Sequence, residues 1–324
     1  MVSALLLIPL QSFLALGVGT IVHRQRLTAV SGMFLSLLWT GVQMGVMAAD
    51  KTIPTGDRMT EAHLVRFLLS GSSFLVLTRI AQWTLLDVTD THGQQNRTMP
   101  LSRFLAVFFV APVSATNDAI ISRRFHHLTL GAAKLGALVL ALRACLIDAA
   151  ASALHGNLLL FSAAGNVFFY LLLSGMEDMI SQPLEIMFGQ LMRSTFDSPW
   201  LATTHREFWA RRWHTPFRDA FSDMARSMQK AGVPPLVSAA TVFAFSGAGH
   251  LLQLYVGLRL VDFHLFGFFL VAFALCIVDP LLESRCPSWL ARGFVLGSLT
   301  VASELFWMSL WEHDFLGALA RSFW

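Results

Sequence analysis

Long uncharged runs alternate along this chain with short polar clusters. The longest are Met1–Val22, Leu27–Ala49, Ala149–Met176 and Ala231–Leu258, and each can cross a hydrocarbon core that needs about 20 residues as a helix. Allowing a few interior charges extends the pattern to about eight spans, near 2–22, 27–49, 64–86, 128–147, 152–176, 234–258, 262–280 and 293–312. Phe104–Asn117 and Ile180–Met192 are apolar but short, and read as re-entrant or interfacial pieces buried by protein. No repeat and no low-complexity linker interrupts the chain. The expected fold is all-α and polytopic, one domain over 1–324.

Composition agrees with that pattern. Of 324 residues, 55% are hydrophobic and only 13% charged, with a mean hydropathy of +0.60, too little charge to cover a water-soluble surface. Met1–Val22 lacks a basic leader and a small-residue cleavage site before His23-Arg24, so it reads as a retained span. The three cysteines are odd in number, and Cys145 and Cys276 lie in apolar stretches, which points to packing and not to a disulfide framework.

A net charge of +3 and a pI near 9.0 do not indicate nucleic acid here, because the basic residues sit in short clusters between spans. Placing His23-Arg24-Gln25-Arg26 in the cytoplasm puts Arg97, Arg103, Arg123-Arg124, the loop 177–233, Arg285 and Arg292 on the same side, as the positive-inside rule expects. The sequon Asn96-Arg97-Thr98 then faces away from the glycosylation machinery. The endoplasmic reticulum is the default membrane for such a protein.

Two stretches carry candidate chemistry. Between the fifth and sixth spans the chain reads His205-Arg206-Glu207-Phe208-Trp209-Ala210-Arg211-Arg212-Trp213-His214-Thr215-Pro216-Phe217-Arg218. A regular helix after Pro199 would put His205, Trp209 and Trp213 on one face, at the interface where tryptophan and arginine both settle. An anchoring helix explains the aromatic residues. The guanidinium groups of Arg211, Arg212 and Arg218 also match phosphate oxygens and so mark a place for a phosphorylated cosubstrate.

The second stretch is Ser246-Gly247-Ala248-Gly249-His250. His250 lies about 24 Å along its helix from Pro234 at 1.5 Å per residue, too deep to reach the near interface. An ionisable group at that depth is a functional candidate, although a helix-to-helix hydrogen bond would also account for it. Ser246 and Gln253 share its face and can orient the ring, while Gly247 and Gly249 leave space for a neighbouring helix or a ligand. Glu304, Lys134 and Arg143 are intramembrane charges expected to pair across helices. Asn117-Asp118 lacks a second acidic cluster, and His126-His127 reads as a solvated pair, so no metal site is expected.

The segment Arg206–His214 resembles the signature of wax-synthase-type membrane-bound O-acyltransferases. The run Ser246–His250, with its histidine about 36 residues beyond His214, is similar to the second motif of that family. In size and layout the chain also resembles enzymes of fungal secondary-metabolite pathways that acetylate terpenoid-type hydroxyls. The resemblance covers the C-terminal half; the N-terminal half matches in hydropathy alone.

It implies an internal tunnel, acyl-CoA (acetyl-CoA in the narrower reading) entering from the cytosol as cosubstrate, and a lipophilic alcohol entering from the membrane lipid. It implies no tightly bound cofactor. His250 would be the general base, in the neutral form that an apolar span favours. His214 would contact the thioester oxygen or CoA, and Trp209, Trp213, Arg211, Arg212 and Arg218 would hold the donor. The acceptor hydroxyl attacks directly, so a ternary complex is expected. A long-chain alcohol with a fatty acyl donor is the closest variant. A transporter using His250, Glu304 and Lys134 as a polar path is the non-enzymatic alternative, and it predicts two related halves that the sequence does not show.

Overall fold

The computed structural model describes residues 14, 17–18, 34–42, 70–71, 74–82, 112–113, 124–144, 153–154, 156–188, 191–192, 194–283, 287–313 and 315. Most of the first expected span, the basic clusters at 23–26, Arg97, Arg103, Arg123 and Arg285, the sequon at Asn96, Cys145 and Cys286 lie outside the described residues. In chain order the described elements are strand β1 (Pro112–Val113), helices α1 (Arg124–Ala144) and α2 (Leu158–Phe188), strand β2 (Leu191–Met192), the short helix α3 (His205–Glu207) running into a π turn (Phe208–Arg212), then α4 (Thr215–Lys230), α5 (Pro235–Leu258), α6 (Phe263–Glu283) and α7 (Ser288–Glu312). The stretches 34–42 and 74–82 are also helical.

Among the described residues, four helices are long and apolar enough to cross a membrane: His127–Ala144, Leu158–Met179, Pro235–Leu258 and Phe263–Pro280. They correspond to four of the expected spans. α7 covers the expected span at 293–312 but is not among these four. The surface follows bilayer logic, with large apolar side chains such as Leu140 and Leu236 facing outward and Asp178, His205 and Asp279 buried.

One expectation is corrected. Ile180–Met192 is not a separate re-entrant piece, because Ile180–Phe188 continues α2, a helix of 31 residues. At 1.5 Å per residue α2 is about 46 Å long and outruns a hydrocarbon core of about 30 Å. Beyond it Leu191–Met192 pairs antiparallel with Pro112–Val113, the two described residues of the other short apolar piece, Phe104–Asn117.

The chain forms two compact units. The first comprises 1–56, 61–110 and 216–263, and holds most of α4 and all of α5. Its centre is Phe74, stacked on Phe217 of α4 with ring centroids 5.1 Å apart and tilted against Phe245 of α5 at 6.3 Å. α4 is amphipathic: Phe217, Ala220, Phe221 and Met224 recur at helical spacing and turn inward, with Ala220 and Met224 buried. Gln82 closes the edge by donating to Asp223 of α4 at 2.5 Å and accepting from Arg79 at 2.7 Å.

The second unit comprises 57–60, 111–215 and 264–324. α1 crosses α2 where Gly131 meets Gly175: a Cβ on Gly131 would lie 3.1 Å from the Gly175 carbonyl oxygen and 3.0 Å from Asp178 Cβ. Small residues let the backbones approach that closely. The approach puts Lys134 Nζ 2.6 Å from Asp178 Oδ2 and 2.5 Å from Ser174 Oγ, so the intramembrane lysine is neutralised by a neighbouring helix. α2 packs on α7 through Gly165, whose absent Cβ leaves room for the fully buried Trp307. The Trp307 indole donates to Asn166 at 3.0 Å, and the Asn166 amide donates to Ser303 at 2.9 Å. Glu304, also expected to pair, makes no ion pair with a described residue.

Candidate active-site segments

In the first unit His250 sits in α5 with its ring 5.2 Å from that of Phe74. Nδ1 lies 3.0 Å from Gln253 Oε1. An amide oxygen only accepts, so Nδ1 carries the hydrogen and donates it, and Nε2 is left as the basic nitrogen. Gln253 is therefore the acceptor for Nδ1. Ser246 is buried one turn earlier, and Nδ1 donates to Gln253. Gly249 has the space predicted beside the histidine, and Phe74 fills it: a Cβ there would lie 1.8 Å from Phe74 Cε2. A small cleft of about 20 Å³, room for about one water, adjoins this helix and is lined by Trp39, Ser70, Phe74, Gly249 and Gln253 among others.

In the second unit the aromatic and basic segment departs from the expected helix. Thr204 caps it, its hydroxyl accepting from the Glu207 amide at 2.9 Å, while the Glu207 carboxylate reaches back to the Thr203 amide at 2.8 Å and hydroxyl at 2.9 Å. This is a capping box displaced by one residue, and Thr204-x-x-Glu207 was its sequence signal. After one turn the helix widens, with the Trp213 amide bonding to the Phe208 carbonyl at 2.8 Å, five residues back. The extra residue breaks the register. Consequently His205, Trp209 and Trp213 do not share one face: Trp213 follows on extended backbone and stacks on Phe208 at 5.2 Å, Trp209 meets Phe268 of α6 edge-on at 6.1 Å, and His205 is fully buried. π turns occur preferentially at functional positions.

His214 closes the segment in the left-handed region, at φ 48. Few residues other than glycine accept that conformation, with Asn, Asp and His the usual exceptions. The neighbouring backbone holds it there: the Thr215 amide donates to Thr195 O at 2.8 Å and the Asp197 amide to Arg212 O at 2.9 Å. Around His214 lie Phe196 at 5.8 Å and, beyond it, Trp213 at 4.8 Å and Tyr170 at 5.4 Å.

The arginines divide. Arg212 is engaged within the segment, its Nε donating to Glu207 Oε1 at 2.8 Å, Nη2 lying 2.7 Å from the same oxygen and Nη1 donating to Asp197 O at 3.0 Å. Arg218, in the first unit, is bound to its neighbour Asp219. Arg211 is exposed. Geometry gives Arg212 the task of closing the turn that ends at His214, a use that phosphate binding would disrupt. Arg212→Ala is therefore expected to lower the unfolding temperature of the solubilised chain, and Arg212→Lys to fail to restore it, because an ammonium does not reproduce the planar set of donors.

Glu207 adds a pH signature. Burial alone would raise its carboxyl, but hydrogen bonds from the Thr203 amide, the Arg212 guanidinium and the Thr203 hydroxyl, with the charge of Arg212, outweigh it and hold the group below its ordinary 4.5. With the folded value below the unfolded one, the stabilisation is complete above the unfolded value and is lost as pH falls through the folded value. Unfolding temperature is thus expected to drop as the medium is acidified below the carboxylate range. Glu207→Gln would flatten part of that acid limb, and an unaltered limb would contradict the assignment.

Sequence reasoning missed Asp279. Its carboxylate, 1% exposed, accepts from the His205 amide at 2.9 Å, from His205 Nδ1 at 2.7 Å and from the Arg206 amide at 2.6 Å. An aspartate followed by proline at the end of an apolar span was the available signal.

Comparison with curated proteins finds no match. Residues 192–271, which include both the Trp209–His214 segment and His250, match the family model of the membrane bound O-acyl transferase family. Over that stretch the chain is similar to the family, and the apolar helices agree with a membrane protein.

Proposed function

We propose that the chain transfers an acyl group from acyl-CoA to the hydroxyl of a lipophilic alcohol, with His250 as general base. The observation that carries this reading is the hydrogen bond between His250 and Gln253 within a spanning helix, which makes Nδ1 the donor and leaves Nε2 as the basic nitrogen. His250 Nε2 takes the hydroxyl proton as the oxygen attacks the thioester carbonyl. The C–S bond then breaks, and the thiolate recovers that proton as it leaves. His214 and the exposed Arg211 serve the donor, the first through the thioester or pantetheine and the second through phosphate.

The narrower reading is acetyl transfer from acetyl-CoA to a terpenoid-type hydroxyl in the endoplasmic-reticulum membrane, with the loop 177–233 on the cytoplasmic side. It is supported by the resemblance in size and layout. Microsomes expressing the full chain, supplied with labelled acetyl-CoA and long-chain acyl-CoA against a panel of terpenoid and linear alcohols, test both levels. Transfer from acetyl-CoA to cyclic acceptors supports the narrow reading, and preference for the long donor replaces it with the wax-ester variant. Absence of transfer from every donor sinks the general one.

A further inference from the structure

We propose that Asp279 is a positioning residue for the Trp209–His214 segment, acting through the backbone of His205 and Arg206. The inference rests on the donor-site reading of that segment.

The start of a helix leaves amides without internal partners. Here Thr204 satisfies one, at Glu207, and the two before it, at His205 and Arg206, are taken by the carboxylate of Asp279 from α6. The same carboxylate also receives His205 Nδ1, and the far side of that ring, Nε2, lies 2.7 Å from Ser298 Oγ of α7. A capping group donated by another helix ties the segment to a spanning element. Pro280 adds to the attachment: it has no amide hydrogen, so the Cys276 carbonyl four residues earlier lacks its helical partner, and the Arg206 guanidinium reaches that oxygen at 3.5 Å.

The segment is thereby held at both ends. Asp279 anchors its first turn, and Arg212 with the Thr195 and Asp197 backbone holds the left-handed turn at His214. A rigid π turn joins the two. Freeing the first turn would therefore displace Trp209 and His214, although no hydrogen bond links Asp279 to either.

The order Ser298, His205, Asp279 also resembles a nucleophilic triad, and the geometry decides against one. The Ser298 hydroxyl donates to Phe294 O at 2.7 Å from the interior of α7, where backbone amides are consumed by the helix and none remains to stabilise an oxyanion.

The test uses the full-length chain in detergent, with Asp279→Asn, Asp279→Ala and His205→Phe, read by amide hydrogen exchange over 203–214 and by acyl-CoA kinetics. Asp279→Ala is expected to speed exchange at His205 and Arg206 about tenfold or more, the scale of losing charge-assisted hydrogen bonds, while α1 and α2 stay protected. His205→Phe keeps both amide bonds and is expected to change exchange less. In kinetics, kcat/KM for acyl-CoA is expected to fall, and Asp279→Asn combined with His214→Ala to be no worse than His214→Ala alone, since residues acting as a unit are not additive. Unchanged exchange at His205 and Arg206 would overturn the proposal, as would additive kinetic losses. If Asp279→Ala fails to fold, Asp279→Asn and His205→Phe carry the same comparison. Absence of transfer by the wild type would remove the acyltransferase reading while the exchange arm still decides the anchor.

Discussion

His250→Ala is expected to lower acyl transfer by about 10²–10⁴-fold, the usual contribution of a positioned general base, with the chain still inserted and folded. The base must carry a lone pair toward the acceptor hydroxyl, and the geometry reserves Nε2 for that by committing Nδ1 to Gln253. Two companion variants separate chemistry from packing. Gln253→Leu keeps the imidazole but releases its orientation, so a smaller loss in kcat is expected, because tautomer and ring angle are no longer held. Phe74→Leu removes the ring that lies against His250 while keeping the base, and is expected to alter stability more than the pH profile of transfer. Equal rates for wild type and His250→Ala in microsomes given labelled acyl-CoA would end the base assignment.

Gly249→Ala carries the second large effect, and it begins as a packing effect. The added methyl would sit 1.8 Å from Phe74 Cε2 and 2.3 Å from Cζ, distances that no real contact adopts. Phe74 is 3% exposed and is enclosed by Phe217, Phe245 and His250, so its ring has nowhere to turn without moving α4 or α5. Overpacking of this kind costs about 1–3 kcal/mol and occasionally more, and a rigid aromatic environment places this case at the upper end. A marked fall in the unfolding temperature of the solubilised protein is expected, with activity lost alongside. Gly249→Ala combined with Phe74→Ala is expected to recover stability relative to Gly249→Ala alone. A single variant as stable as wild type would mean that Phe74 does not occupy that space.

Several features were legible before any coordinates. Apolar runs at 234–258 and 262–280 foretold α5 and α6 to within three residues at either end, because lipid demands a continuous apolar helix and polar residues mark its ends. Helical spacing put Gln253 on the face of His250, and the two side chains lie 3.0 Å apart. Elsewhere local rules misled. Charge at Glu177 and Asp178 suggested an end to the fifth span, yet α2 runs on to Phe188, and Asp178 is neutralised by Lys134 of another helix. Density of arginine suggested phosphate binding, but a guanidinium has five donors and will close a turn on nearby carbonyls and a carboxylate where these are presented, as Arg212 does.

What the sequence by itself determined is the membrane as solvent, the position of the spanning helices in its C-terminal half, and the two segments that carry candidate chemistry. All of these depend on residue type and spacing within one stretch of chain. The tertiary structure alone decided that His205 is anchored to Asp279 across 74 positions, that Gly249 makes room for Phe74, and that the aromatic segment widens into a π turn ending at a left-handed His214. Each of those depends on a partner far away in the chain, and a hydrogen bond or a void has no local signature until both of its sides are in place.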